Sequence, residues 1–373
     1  MSVDLYGFHK DVRPILQTYL QNARDRPLRI RLSRSFEHKT THRREYKDNA
    51  NDAYNHLLRN IDKCWELTIV HCGSFGSDLP DDAVPDKESF PSLRVLTLDL
   101  DTEELSVLPN YLRNALQCTP VLTTLKIEGP FPEYPVYAFD RLTQLDISRL
   151  DNCTMGILQT WLPFCTNLKV LVLPNTLDDY DAFHTWDISQ QKSVPLVTDL
   201  KADIEDYPAY ISPAFSAFRF PSLSRLSLRL AGEFVPEDGW PPPFLDALRS
   251  SCHSLKELVL TMHSWYGRRE DVFPVSNILT IMPNLTSLEF IFVEMVSPST
   301  DPSPRPSSQN SSSCQILHAL TVGHHAPEGM MENGRLNEDA WRAHNAQNPS
   351  TLLPKLASLR LYEEDPLAKS RKR

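Results

Sequence analysis

The chain has 373 residues, 41% of them hydrophobic, enough to bury a sizeable core in two domains or one elongated one. Its formal charge of -10 disfavours nucleic acid and anionic membrane as main partners and leaves a neutral or basic protein open. No apolar run approaches the roughly 20 residues that span a bilayer, and the opening MSVDLYGFHKDVRP has neither a basic nor an apolar leader region, so a chain inside the cell, cytoplasmic or nuclear, is expected.

Residues 1–89 have the pattern of divergent, capping repeats. Val12, Ile15, Leu16 and Tyr19 predict a helix, and the alternating PLRIRLS at 27–33 predicts a strand after it. The basic HKTTHRREYK at 38–47 is a solvated loop by default. A second helical stripe, Tyr54, Leu57, Leu58 and Ile61, leads into a strand carrying Trp65, Leu67 and Ile69.

From residue 90 one phrase recurs, Leu-x-x-Leu-x-Leu with conservative replacements. It stands at Leu93, Leu96, Leu98; Leu122, Leu125, Ile127; Leu142, Leu145, Ile147; and Leu168, Leu171, Leu173. Degraded at Val197 and Leu200, it resumes at Leu223, Leu226, Leu228; Leu255, Leu258, Leu260; and Leu285, Leu288, Phe290. Two further copies, Leu317, Leu320, Val322 and Leu356, Leu359, Leu361, follow in the C-terminal part. About ten copies at a mean spacing near 29 residues match the period of leucine-rich repeats. Alternation places the last two leucines of each phrase on one side of a short strand, and the first closes the turn into it. One unit cannot cover its own apolar face, so the units must stack. The predicted fold is therefore α/β, an irregular leucine-rich-repeat solenoid or horseshoe with a parallel inner sheet and outer helices.

Helices are predicted between phrases from Leu105, Leu108, Leu112 and Leu116, from Met155, Leu158 and Trp161, and from Val275, Ile278, Leu279 and Met282. Pro91, Pro120, Pro221, Pro283 and Pro354 stand just before strands, where they are expected to end the preceding helix. The repeats proper run over 90–296. A Ser/Pro-rich stretch, 297–315, reads as a disordered insertion. The C-terminal repeats occupy 316–365, with a short helix capped by Asn337, and a basic tail closes the chain at 366–373.

Seven cysteines without close pairs fit a reducing compartment. Cys165, Cys252 and Cys314 each lie three residues before the first leucine of a phrase and Cys118 four before, equivalent core positions with a packing role. The sequons at Asn152, Asn284 and Asn310 are expected to be chance matches, since no secretion signal is read at the start of the sequence.

Catalytic patterns are missing. There is no phosphate-cradling Gly-x-x-x-x-Gly-Lys, Gly-x-Ser-x-Gly elbow, His-Glu-x-x-His or Cys-x-x-Cys, and 11 glycines leave little for glycine-rich cofactor loops. Asp99 and Asp101 imitate a metal-binding Asp-x-Asp, but Asp99 falls on a strand face, and Thr102 reads as the cap of a helix whose first turn carries Glu103 and Glu104. His318, His324 and His325 sit around one strand, where adjacent histidines point to opposite faces. The acidic DDYDAFH at 178–184 is a solvated loop. No enzyme activity, cofactor or metal is expected.

A binding surface remains. Residues flanking the buried leucines face the concave wall, and the candidate face comprises Thr97, Asp99, Lys126, Glu128, Gln144, Asp146, Arg225, Arg229, Glu257, Glu289, Arg360 and Tyr362. Curved sheets of this kind hold proteins or peptides.

The strings SVDLYGFHKDVRPILQTYLQNARDRPLRIRLS at the start, KCWELTIVHC at 63–72, FPSLRVLTLDL and FCTNLKVLVLPN carry a family likeness. The arrangement resembles the leucine-rich-repeat region of fungal, mushroom-type F-box proteins. That resemblance implies a substrate receptor docked on the adaptor of a Skp-cullin-F-box ubiquitin ligase. This sequence departs from the family in having no F-box signature upstream of Val12, so adaptor docking is expected only if an F-box precedes it; a repeat-only scaffold is the alternative. The asparagine that follows the phrase in regular repeats is also replaced, by Asp101, Pro130, Leu150 and Ala231, which predicts less uniform turns.

Overall fold

The computed structural model describes residues 2–4, 13–23, 26–33, 61–70, 90–99, 119–130, 139–151, 153–174, 192–205, 217–231, 242–251, 253–264, 275–294, 331–332, 335–347, 353 and 355–364. The chain divides into two compact units, Met1–Leu168 and Lys169–Arg373.

The strands of the first unit are β1 (Ser2–Asp4), β2 (Leu28–Ser33), β3 (Cys64–Val70), β4 (Val95–Asp99), β5 (Thr124–Pro130) and β6 (Gln144–Asp151). They neighbour one another in chain order, and every pairing is parallel. In the second unit come β7 (Val170–Leu173), β8 (Lys192–Ser193), β9 (Asp199–Glu205), β10 (Phe218–Arg219), β11 (Arg225–Ala231), β12 (Glu257–Ser264), β13 (Ser287–Glu294), β14 (Met331–Glu332), β15 (Arg335–Leu336) and β16 (Ser358–Glu364). Here β7, β9, β11, β12, β13 and β16 form the parallel run, while β8 and β10 make a separate two-stranded ribbon. The fold is α/β, with a long parallel sheet of sequential strands as in the inner sheet of a leucine-rich-repeat solenoid.

The phrase dictates this register. Leu96 lies beside Leu67 and Leu125, and Leu226 beside Leu200 and Leu258, so like stacks on like. All three phrase positions are sealed from solvent: Leu93, Leu96 and Leu98, for example, are each 0% exposed. The first leucine closes a turn, its amide donating to the carbonyl three residues back; Leu93 reaches Phe90 at 3.3 Å, Leu168 Cys165 at 3.1 Å and Leu285 Met282 at 3.1 Å. Prolines 91, 120, 221 and 283 occupy exposed positions in these turns, where a missing N–H costs no ladder bond.

The turns that lead into the strands are tied together by a hydroxyl ladder, whereas the turns that follow the phrase, where the asparagine is replaced, lie largely outside the described residues. The hydroxyls of Thr123, Thr143, Thr198, Ser224 and Thr286 each donate to the carbonyl of the preceding rung, at 3.3, 3.2, 3.4, 3.1 and 3.1 Å. Two backbone amides join each: the Lys169 carbonyl also accepts from the Thr198 and Asp199 amides at 2.9 and 3.0 Å.

Several expectations change. In α1 (Arg13–Ala23) the buried pair is Leu16 and Leu20, not the Ile15–Tyr19 stripe; Ile15 and Tyr19 are 58% and 59% exposed. At β3 it is Cys64, and not Trp65, that turns inward with Leu67 and Ile69, and the pairing slips one residue between Leu28 and Arg29 to permit it. The rung taken as degraded is complete. Val197 and Leu200 are buried, and Ala202 fills the last leucine's place, 2% exposed between Leu173 and Leu228. β13 pairs directly with β16, Leu288 beside Leu359, so no rung comes between them; the phrase predicted at 317–322 lies outside the described residues. β1 and the β14–β15 hairpin were not anticipated, although Asn333-Gly334 between β14 and β15 is a strong hairpin signal.

Among the other helices, α2 (Met155–Trp161) is capped by Thr154, whose hydroxyl accepts from the Ile157 amide, and buries Leu158 and Trp161; the Trp161 ring packs tilted against Phe139, centroids 4.7 Å apart. α3 (Pro242–Ser251) buries Phe244 and Leu248. α4 (Val275–Thr280) buries Ile278 and Leu279, and Met282 is buried just beyond its end. α5 (Glu338–Gln347) starts at Asn337, whose Oδ1 accepts from the Ala340 amide at 3.1 Å as the sequence predicts. Trp341 of α5 is 2% exposed, Asn345 donates to the Leu356 carbonyl and Glu338 pairs with Arg360, so the helix runs beside β16 and, with β15, covers the sheet's last edge.

The predicted helices at 54–60 and 105–116, the loops at 38–47 and 178–184, the insertion at 297–315, the tail at 366–373, Asp101, Thr102, Cys118, Cys252, Cys314 and the three histidines at 318, 324 and 325 fall outside the described residues.

Candidate protein-binding face

Strand alternation produces the face. Between leucines buried on one side, the next residues emerge on the other: Thr97, Asp99, Lys126, Glu128, Gln144, Asp146, Glu289 and Tyr362 are half-buried, and Arg225, Arg229, Glu257 and Arg360 are exposed. All twelve residues expected on the face therefore stand opposite the core. Thr97, Asp99, Lys126, Glu128, Gln144 and Asp146 belong to the first unit and the others to the second.

Each unit's face is knit together by ion pairs. In the first, Lys126 Nζ lies 2.6 Å from Glu128, and Arg149 approaches the same carboxylate at 3.5 Å. A bulge makes that second contact possible: Asp146 opposes Lys126, but Arg149 instead of Ser148 opposes Glu128. Asp146 Oδ1 holds the bulge by accepting from the amide and hydroxyl of Ser148, at 3.1 and 2.8 Å. At the start of the unit Arg29, absent from the expected set, pairs with Glu66 at 3.2 Å and lies 5.1 Å over the Trp65 ring.

In the second unit the pairs run across adjacent strands: Arg229 to Asp203 at 3.6 Å, Arg225 to Glu257 at 3.7 Å and Arg360 to Glu289 at 3.7 Å. Each joins register neighbours. Exposed pairs of this type contribute only roughly 0.2–1 kcal/mol each, so a partner can exchange them at small cost. Asp199 is the exception. It sits in register beside Arg225, whose guanidinium turns to Glu257, and its Oδ1 is buried without a hydrogen-bond partner among the described residues.

Other candidates meet packing instead of chemistry. Cys64, Cys153 and Cys165 are buried, and burial pushes the Cys64 and Cys165 thiols up to about 12. The Asn284 sequon is locked into the turn ladder: Asn284 accepts from Lys355 at 2.6 Å, Leu285 is 0% exposed and Thr286 donates to the Lys256 carbonyl. Among the described residues no group of His, Cys, Asp and Glu is placed to hold a metal ion, and no helix is long and apolar enough to cross a membrane.

No family model and no curated protein matches the chain. The fold and its open, polar sheet face define a class, a repeat-like parallel-sheet protein of the kind that serves as a protein-binding module.

Proposed function

We propose that the chain holds a protein ligand on its open sheet face, as the substrate-recognition part of an F-box-type ubiquitin ligase receptor. The observation that supports binding is the alternation itself: a rigid, leucine-backed sheet that displays paired, exchangeable charges at regular spacing. The ligase role has different support, the likeness of 2–33, 63–72, 90–100 and 164–175 to the repeat region of that family. A repeat scaffold without a ligase role is the second reading, and it rests on the face alone. The test is affinity capture by the wild-type chain and by Arg225→Glu/Arg229→Glu. Partners caught by the wild type should be lost from the variant while its circular dichroism is unchanged; partners retained by the variant would overturn the face as the binding surface. The coding sequence upstream of Met1 separates the two readings: an in-frame F-box there supports the receptor, and its absence supports the scaffold.

A further inference from the structure

The turns that lead into the strands of the second unit make a surface of their own. Lys169, Lys256 and Lys355 are exposed there, on the rungs of β7, β12 and β16. Between them stand exposed prolines 195, 221 and 283 and Leu196, which is 45% exposed. No carboxylate occurs among the described residues of this edge, in a chain whose formal charge is -10.

The contrast with the adjoining face is physical. On the open face of the second unit, Arg225, Arg229 and Arg360 are paired with Glu257, Asp203 and Glu289. On the edge, Lys169 and Lys256 have no ion-pair partner among the described residues, and Lys355 Nζ spends one donor on a neutral acceptor, Asn284 Oδ1, at 2.6 Å. Each turn of the edge is fixed to the one before, three by the hydroxyls of Thr198, Ser224 and Thr286 and two by the amides of Lys256 and Ala357.

We propose that this edge of the second unit is a second docking surface, and that its occupant is an extended acidic segment of a partner protein with an apolar residue among its carboxylates. Charge complementarity selects the carboxylates, and Leu196 with its flanking prolines offers the apolar contact. With strands about 4.8 Å apart, the three lysines span roughly 24 Å, the reach of about seven extended residues. A nucleic acid fits less well. A duplex carries a charge about every 1.7 Å of its axis, far more densely than the lysines, whereas an acidic peptide segment spaces its carboxylates by its sequence.

The probe is a fluorescent peptide of six glutamates around a central leucine, read by anisotropy at low and at physiological salt. The wild type should bind it, more weakly as salt rises, and Lys169→Glu/Lys256→Glu/Lys355→Glu should lose about tenfold in affinity or more. Arg360→Gln, on the open face, should bind the peptide like the wild type, which keeps this surface separable from the one proposed above. If circular dichroism shows the reversed variant unfolded, the triple Lys→Gln variant takes its place, with about a threefold loss expected. Equal affinity for the wild type and the folded triple variant overturns the proposal, and so does tighter binding of a single-stranded oligonucleotide of equal length.

Discussion

Cys64 and Cys165 show how a single side chain answers to its place in the rung. Each fills a slot at the turn into a strand, Cys165 in the position that Phe90, Phe139 and Phe220 occupy elsewhere, and each is nearly sealed from water. Desolvation is the larger cause of their raised pKa, and at Cys64 the Glu66 backbone acceptor opposes it in part. The folded-state value, about 12, lies above the free thiol's 9.0, so burial of the neutral thiol contributes its stability in full below pH 9.0 and loses it as pH rises toward 12. Chemical denaturation at a series of pH values should show stability falling above pH 9.0, with a smaller fall in Cys64→Ala/Cys165→Ala; an unchanged slope in that variant would remove the thiols as the cause. Asp199 is the converse case. Its side chain has a register neighbour of opposite charge and yet keeps a buried oxygen without a partner among the described residues, and Arg225 is claimed by Glu257.

At the scale of elements, the last rung shows how the array ends. An exposed sheet edge invites pairing with other chains, and β16 has β15 and α5 against it. α5 holds on by Trp341 in the core, by Asn345 on the Leu356 carbonyl and by Glu338 on Arg360, and Asn337 starts it. Trp341→Ala should cost about 3–5 kcal/mol through the cavity it leaves, and Asn337→Ala about 1 kcal/mol through the lost cap. Urea denaturation measures both. If the two variants cost the same, α5 is not held by its tryptophan. Among its described residues α1 buries two leucines, Leu16 and Leu20, and leaves Ile15 and Tyr19 exposed.

For the whole molecule, the two compact units each repeat one construction, so stability is a sum of nearest-neighbour terms along each sheet. Damage should then stay local. Leu228→Ala removes a side chain that is 1% exposed at the centre of the second unit's run and should cost about 2–5 kcal/mol. Hydrogen exchange should accelerate most in β9, β11 and β12 and least in β16. Uniform acceleration across the second unit would mean that it unfolds as one body.

Much of this was legible in the chain. The leucine phrase determined the strands, their parallel stacking and the twelve face residues, because alternation leaves a strand residue only two sides and the apolar one must be buried. Asn337 and the turn prolines were equally plain, being local signals with local causes. Tertiary structure decided what depends on neighbours far apart in sequence. Leu20 displaces Ile15 and Tyr19 as a partner of Leu16 because the helix is turned by what it packs on. Ala202 completes a rung that its own sequence had left in doubt, since Leu173 and Leu228 on either side supply the bulk it lacks. The partner of Arg225, the bulge that brings Arg149 to Glu128 and the direct step from β13 to β16 follow the same rule: pairing across strands is settled by register and space, and neither is written in any one segment.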